Sequence, residues 1–393
     1  MNDFRLRLSI ALFLTSCPLA LLSATRDYPV SPELDRLGQE GVATIRKMIF
    51  TWTPQLRPVP GTSTPSWERG LSLAGREDLF AVQRWEPLPT CSALSADPVA
   101  LITERARHTN IVIINEHHDS SLDRQFIGKV LSALRRVGYR YYAAETFDPS
   151  ATLVHERTLG SDGTYSNEPV FGRLVGLAKS LGYQLIAYER TLEQDSALAG
   201  EHPDLSPGDR REQIQAENLM ERVFGARPDA KLVIHVGHGH VRERGSGASY
   251  AVPMAQILKR RAGRDPLTIS QTDCKSSASG DVIGEVSGNT TTDGSVDLFV
   301  GHPTLTFRGQ RPTWRQETGD RLVEIPAQFL EFHERVIVEA RPAEEGLGTV
   351  PADRVLLYPG ERVPLLLSAG KYRLDAFLES GRIENAAVSV TVR

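Results

Sequence analysis

Between residues 110 and 240 the chain alternates short apolar runs with longer amphipathic ones. NIVIINE (110–116), YRYYAAE (139–145), YQLIAYE (183–189) and KLVIHVG (231–237) are brief and rich in β-branched and aromatic residues, the composition of strands. Between them DRQFIGKVLSALRRVG sets Phe126, Val130, Leu131, Leu134 and Val137 on one helical stripe. EPVFGRLVGLAKSLG, GDRREQIQAENLMERVFG and VPMAQILKRRAG repeat that spacing, and several of these segments stop at Gly, as helix C-caps do. DPLTISQTD follows as a further strand. Helices of this length between strands predict parallel βαβ units with right-handed crossovers. The expected fold class is therefore α/β over residues 99–315, a mostly parallel β-sheet flanked by helices. Residues 148–167 read as a loop insertion near the strand ends. After the Ser/Gly/Thr-rich passage KSSASGDVIGEVSGNTTTDGS, VDLFV reads as one more strand, closing the sheet edge.

The flanks differ. Over residues 322–393, RVIVEARP, DRVLLYP, RVPLLLS, KYRLDAFLE and NAAVSVTVR are separated by turn residues, the spacing of a small C-terminal all-β, sandwich-like domain. Residues 25–98 are irregular and rich in Pro, Trp and Ser, with one helix in SPELDRLGQEGVATIRKMIF. Trp52, Trp67 and Trp85 are expected to pack this extension onto the core. Residues 1–24 have the basic start, apolar middle and small-residue end of a secretory signal peptide. Leu14-Thr15-Ser16-Cys17 also has the form of a bacterial lipobox, which would anchor the chain by lipid at Cys17. Either route places an exported bacterial protein in the periplasm or medium, or on the outer membrane as a lipoprotein.

Composition narrows the class. The 393 residues are 40% apolar and 24% charged, as in a globular protein, and the net charge of −4 gives no basic excess for nucleic acid. Beyond the N-terminus no apolar run reaches the roughly 18 residues of a membrane span. Of three cysteines, Cys91 and Cys274 remain after cleavage at Ala24; one bridge and two separate thiols are both compatible with the sequence.

The chemistry gathers where the strands end. The first stops at Glu116, His117, His118 and Asp119, the second at Glu145, the third at Glu189 and Arg190, the fourth at His238 and His240. In a parallel sheet these ends share one rim, where open α/β sheets hold ligands. Ser120 with Asp123 has capping-box form, so a helix starts beside His118. His117 should diverge from His118, as neighbours do in extended chain, and His235 within its strand reads as structural. Glu189 alone could equally pair with Arg190, Arg210 or Arg211.

These residues carry a resemblance. Asn115-Glu116-His117-His118 is similar to the G-E-x-H motif of the superfamily of ChaN-type haem-uptake proteins, TraB/Tiki-type proteins and erythromycin esterases. Glu145 matches its second-strand Glu. Arg211-Glu212 with Ala216 and Asn218 matches R-[DE]-x-x-x-A-x-N, and Gly237-His238-Gly239-His240 matches G-x-x-H. The likeness spans 111–270, under half of the chain. Asn115 departs from the usual Gly, and the single residue between Glu116 and His118 departs from the erythromycin esterases.

The resemblance and the rim together give three expectations. The first is a hydrolase of a small-molecule ester, lactone or amide. Glu116, His118, Glu145 and His240 would be catalytic, and Arg211, Asn218, Glu189 and His238 would bind substrate. A divalent metal on Glu116, His118 and His240 is a variant of it, although H-E-x-x-H and G-x-S-x-G are both absent. The second is a haem-binding protein of the ChaN type, with Tyr141 and Tyr142 as weak ligand candidates. The third is a non-catalytic interaction protein. Substrate identity and oligomeric state are not legible in the sequence.

Overall fold

The computed structural model describes residues 30–59, 64–81, 88–245, 252–285, 295–381 and 383–393. The proposed signal peptide, Cys17 and Trp85 lie outside the described residues. The α/β expectation holds at the level of architecture: a mostly parallel seven-stranded sheet is flanked by helices and followed by antiparallel sheets.

The strands are β1 (Ile111–Glu116), β2 (Tyr141–Ala144), β3 (Gln184–Ile186), β4 (Leu232–Gly237), β5 (Leu267–Ser270), β6 (Val282–Glu285) and β7 (Leu298–Gly301). Their spatial order is β3-β2-β4-β1-β5-β7-β6, parallel except for β6. That corrects the reading of the edge. VDLFV pairs parallel with β5 inside the sheet, and the strand that closes it antiparallel comes from the Gly/Ser-rich passage before it. Its short apolar core, Val282-Ile283, is too brief to announce a strand on its own.

Helices α1 (Pro32–Trp52), α2 (Pro65–Leu73), α3 (Pro98–Arg105), α4 (Ser121–Arg136), α5 (Pro169–Ser180), α6 (Leu192–Glu201), α7 (Pro207–Leu219), α8 (Met254–Ala262) and α9 (Thr313–Glu317) complete this part. Strand residues alternate between two faces. Val112, Ile114, Tyr142 and Val233 pack with Phe126, Val130 and Leu134 of α4 and Phe171 and Leu174 of α5. Ile111, Ile113, Ile234 and Val236 pack with Ala216 and Leu219 of α7 and Met254 and Leu258 of α8. Both faces of the sheet are covered, so its strands read as continuous apolar runs. Helix starts are capped as the residue types require: the Ser120 hydroxyl accepts from the Asp123 N–H, and Glu168 accepts from Val170 and Phe171. Cys91 and Cys274 form a disulfide, deciding what the sequence left open.

In the C-terminal part, β8 (Phe307–Arg308) and β9 (Arg311–Pro312) form a small ribbon, and β10 (Arg321–Val323) pairs with β13 (Leu365–Leu367). β12 (Asp353–Leu357), β11 (Val336–Pro342), β14 (Gly370–Leu378) and β15 (Ile383–Val392) form a four-stranded antiparallel sheet in that order. One face of this sheet carries Val336, Val338 and Leu374 and packs with residues of β13. The other carries Ile337, Leu356 and Phe377 and is covered by Ile45 and Ile49 of α1 and Leu71 and Leu73 of α2. Trp52 and Trp67 sit in the same cluster. The N-terminal extension thus wedges between the C-terminal sheet and the α/β unit, meeting the latter at Leu122 and at the turn Gly160–Asp162.

Glu339 pins this arrangement. Its buried carboxylate accepts from Arg46 of α1 at 2.9 Å, Arg341 at 2.8 Å and Arg354 at 2.7 Å. Burial alone would raise its pKa, but the three guanidinium groups hold it far below the carboxylate range. Arg354 also donates to the carbonyls of Leu73 and Asn167. The three parts of the chain are joined at this one charge cluster.

Candidate active site

β4 lies between β1 and β2, with Glu116 opposite Gly237 and Ala144 opposite His235. Three adjacent parallel strands therefore deliver Glu116, Glu145 and the turn 237–240 to one rim, where a sheet of this kind leaves a crevice.

Glu116 is fixed first. Arg124, in the first turn of α4, donates Nε to Oε2 at 2.8 Å and Nη2 to Oε1 at 3.0 Å. Nδ1 of His118 lies 3.1 Å from Oε1, and Nε2 of His235 lies 3.0 Å from Oε2. Burial would push the carboxyl up, yet Arg124, His235 and His118 together keep it well below the ordinary carboxylate value. Glu116 is thus a permanently ionised anchor for His118.

Glu145 is fixed from the other side. Its Oε2 accepts from the Gly237 N–H at 2.6 Å and its Oε1 from Arg211 of α7 at 2.6 Å. His118 Nε2 stands 4.0 Å and His240 Nε2 3.6 Å from the same Oε1. Against burial, His240, His118 and Arg211 lower its pKa to about 2. Nδ1 of His240 lies 2.7 Å from Glu212 Oε1, whose other oxygen accepts from the Met254 N–H. Burial would lower the His240 pKa, but Glu145 and Glu212 raise it overall. The outcome is an alternating line, Glu116–His118–Glu145–His240–Glu212, at bonding distance at its two ends and wider, 4.0 and 3.6 Å, on either side of Glu145. His118 keeps 12% of its side chain exposed, against 4% for His240, so His118 is the ring that meets solvent.

Gly237 is demanded by this packing. A Cβ there would overlap Cε1 and Nε2 of His118 and crowd Glu145. His238 adopts a left-handed φ of 38°, and its exposed ring stands edge-on to His118 with centroids 5.2 Å apart. Asn115 has a role of its own in place of Gly. Its amide donates to the His238 carbonyl at 2.8 Å and its Oδ1 accepts from Gln271 N at 2.6 Å, tying β1 to the turn and to β5.

Several expectations need correcting. Arg211 and Glu189 are in the site but bonded to each other, and Arg211 also reaches Glu145 and His240; its donors are used for positioning rather than held for substrate. Asn218 does not face the crevice. Its buried amide donates to the carbonyls of Tyr188 and Glu189 and exchanges hydrogen bonds with Gln194, which holds the chain after β3. His117 turns away to Asp123, as expected, and His235 bridges Tyr142 and Glu116 inside the sheet.

The ligand sets expected for the two cofactor readings are not brought together. Glu116, His118 and His240 do not share a coordination point, because each Nδ1 and each carboxylate oxygen already faces a protein partner and Arg211 occupies the space between Glu145, Glu189 and His240. Among the described residues no group of three such donors is arranged for a metal ion. Tyr141 and Tyr142 are buried on opposite faces of β2 with their hydroxyls engaged by Arg227 and His235, so neither is open to a haem iron.

Three contributors were not visible in the sequence. Tyr165, from the loop insertion, lies flat on His118. Arg124 looks like any surface cation of an amphipathic helix, yet it is buried between Glu116 and Glu168. Glu77, in the N-terminal extension, accepts from both the backbone N–H and the hydroxyl of Ser121 at 2.8 Å, at the start of α4.

No family model and no curated protein sequence matches this chain. Solved structures resemble it weakly. The type III effector HopBA1 aligns with a TM-score of 0.34 at 13% identity, over 56% of this chain and 99% of its own. ChaN of Campylobacter jejuni, described with cofacial haem binding, aligns with a TM-score of 0.34 at 8% identity, over 52% and 91%. RRSP, a MARTX toxin effector domain from Vibrio vulnificus, aligns with a TM-score of 0.29 at 14% identity, over 60% and 48%.

Proposed function

We propose that this chain is a hydrolase in which His118 activates water for attack on an ester, lactone or amide carbonyl. The reading rests on the line Glu116–His118–Glu145–His240–Glu212. With the Nδ1–H of His118 donated to Glu116, Nε2 is left as the acceptor, 4.0 Å from Glu145 Oε1. A water proton passes to Nε2, the hydroxide adds to the carbonyl carbon, and ionised Glu116 balances the imidazolium that results. The His118 imidazolium then returns its proton to the leaving group as the bond from the carbonyl carbon to that group breaks, while His240, its Nδ1 on Glu212 and its Nε2 facing Arg211, helps hold Glu145 in place. Arg211 and Glu189 hold Glu145 in place between the rings.

Export is part of the same proposal. The Cys91–Cys274 bridge supports an oxidising compartment, in keeping with the leader-like first 24 residues.

The test is a screen of chromogenic esters, lactones and peptides with the full chain, His118→Asn and Glu145→Gln. Turnover should fall about a hundredfold or more in both variants, measured well below their melting temperatures, and wild-type turnover should persist in chelator. Equal turnover in His118→Asn would overturn the assignment. An inert wild type across the whole screen would leave the interaction-protein reading.

A further inference from the structure

A groove of about 1060 Å³, lined by none of the residues of the Glu/His line, runs along the outer edge of β3 between residues 149–158, α5 and residues 342–352. β3 is the terminal strand on that side of the sheet. The Gln184 N–H donates to the Arg140 carbonyl beside β2, and residues of a parallel strand alternate in the direction of their backbone bonds. Leu185 therefore turns its N–H and C=O outwards, into the groove that it lines. Exposed edges are usually blunted by Lys, Pro or a bulge, and Gln184-Leu185-Ile186 has none of these.

The groove also holds a polar group with nothing to bond. His155 is only 5% exposed, and neither ring nitrogen has a hydrogen-bond partner among the described residues. Burying such a group unpaired costs about 1–3 kcal/mol. Burial and the nearby Lys179 ammonium lower its pKa against the charge of Asp162, favouring the neutral ring, which offers one donor and one acceptor. Next to it Val154 is 72% exposed, an apolar side chain at the groove mouth. Where the chain leaves β3, Arg222 lines the groove and donates to the Ala187 carbonyl, with no carboxylate partner among the described residues. The volume is at the upper limit of small-molecule sites, roughly 300–1,000 Å³.

We propose that this groove binds an extended peptide segment, which adds as a strand to the free edge of β3, places a polar group against His155 and sets an acidic side chain on Arg222. Backbone pairing with Leu185 supplies affinity and the two side-chain positions supply selectivity. The site is independent of the hydrolase reading.

Short random peptides displayed on phage are selected on the full chain, and the winners are synthesised and titrated by fluorescence anisotropy. Two blocking variants serve as controls. Gly176 lines the groove and a Cβ there would meet nothing within 4 Å, so Gly176→Leu projects into the groove from a position with room for its Cβ. Exposed Ser180→Trp does so from the next turn. The proposal expects winners enriched in Asp or Glu that bind about tenfold or more weakly to either blocking variant. It expects a similar loss when the peptide is N-methylated on alternate residues of its pairing edge, and a severalfold loss with Arg222→Gln. Failure to select any peptide, affinity indifferent to blocking and N-methylation, or a groove that takes dodecanoate but no peptide would each overturn it.

Discussion

His118 lies flat against Tyr165, ring centroids 4.2 Å apart and planes inclined by 10°, although the two come from opposite ends of the β1–α5 stretch. The contact fixes the one ring of the cluster that reaches solvent. An aromatic pair of this kind contributes about 0.5–1.5 kcal/mol beyond area burial. Tyr165→Ala should therefore lower kcat several-fold to about tenfold through a loosened His118, and Tyr165→Phe should restore it. Equal loss in both variants would mean that the hydroxyl, not the stack, matters.

Gly237→Ala is the sharpest test of the packing. The added methyl would occupy the volume of His118 Cε1 and Nε2, and it cannot be relieved at the Glu145 side without stretching the Gly237–Glu145 hydrogen bond. A displacement of about 1 Å at a reacting group costs on the order of a hundredfold in rate. The variant should fold, keep its far-UV spectrum, and lose about that much activity. A crystal structure should find the His118 ring swung off Tyr165.

The His240–Glu212 pair predicts a titration. Glu145 and Glu212 together raise the imidazole pKa against burial, with Arg211 opposing. In Glu212→Gln one of the two supporting charges is gone, so the ring should lose its proton at lower pH than in the wild type. Histidine ring NMR would read this directly.

How much of this was legible beforehand follows from what each residue depends on. Glu116, Glu145 and the 237–240 turn could be found because they end strands, and the strands announce themselves by β-branched runs on a sheet covered on both faces. Parallel topology then brings the strand ends together without further information. Arg124 and Tyr165 could not be found this way. Whether a cation in an amphipathic helix is buried depends on a carboxylate elsewhere, and a loop residue has no periodicity to report its partner. Asn218 misled for the opposite reason. It sits seven residues, about two turns, beyond Arg211 on the same helix, so the motif suggested a shared role. The structure instead spends its amide on the backbone at Tyr188 and Glu189. β6 was missed because four residues in a Gly/Ser-rich passage give too short a signal against the turn residues around them.

Glu339 predicts the cost of separating the three parts of the chain. It is buried among Arg46, Arg341 and Arg354, and removing its charge leaves Arg46 and Arg354 with no carboxylate partner among the described residues and Arg341 with Asp375 alone, at 4.0 Å. Breaking a buried pair by removing one partner costs about 3–5 kcal/mol. Glu339→Gln should lose stability on that scale in chemical denaturation. Because Arg354 also holds the Asn167 carbonyl beside Tyr165, activity at temperatures below the melt should fall as well.

Glu77 gives a pH dependence with a definite sign. Burial raises its carboxyl most; the Ser121 N–H and hydroxyl oppose this and the charge of Glu168 adds to it, with a net pKa of about 7 against an ordinary 4.5. Between those two values the folded state holds a proton that the unfolded chain has released. Stability therefore falls as pH rises from 4.5 to about 7, then stays at the lower level, a loss on the order of a few kcal/mol. Glu145 acts in the opposite direction at lower pH. Its carboxyl is depressed to about 2, so its contribution is complete above 4.5 and is lost as pH falls towards 2. Glu77→Gln should flatten the upper slope only. Denaturation curves between about pH 5 and 8 should converge for the two proteins at the acid end and separate by about 1 kcal/mol or more at the alkaline end, the variant being the more stable. Parallel curves would mean that Glu77 is already ionised in the folded protein at neutral pH, with Ser121 rather than a proton satisfying its carboxylate.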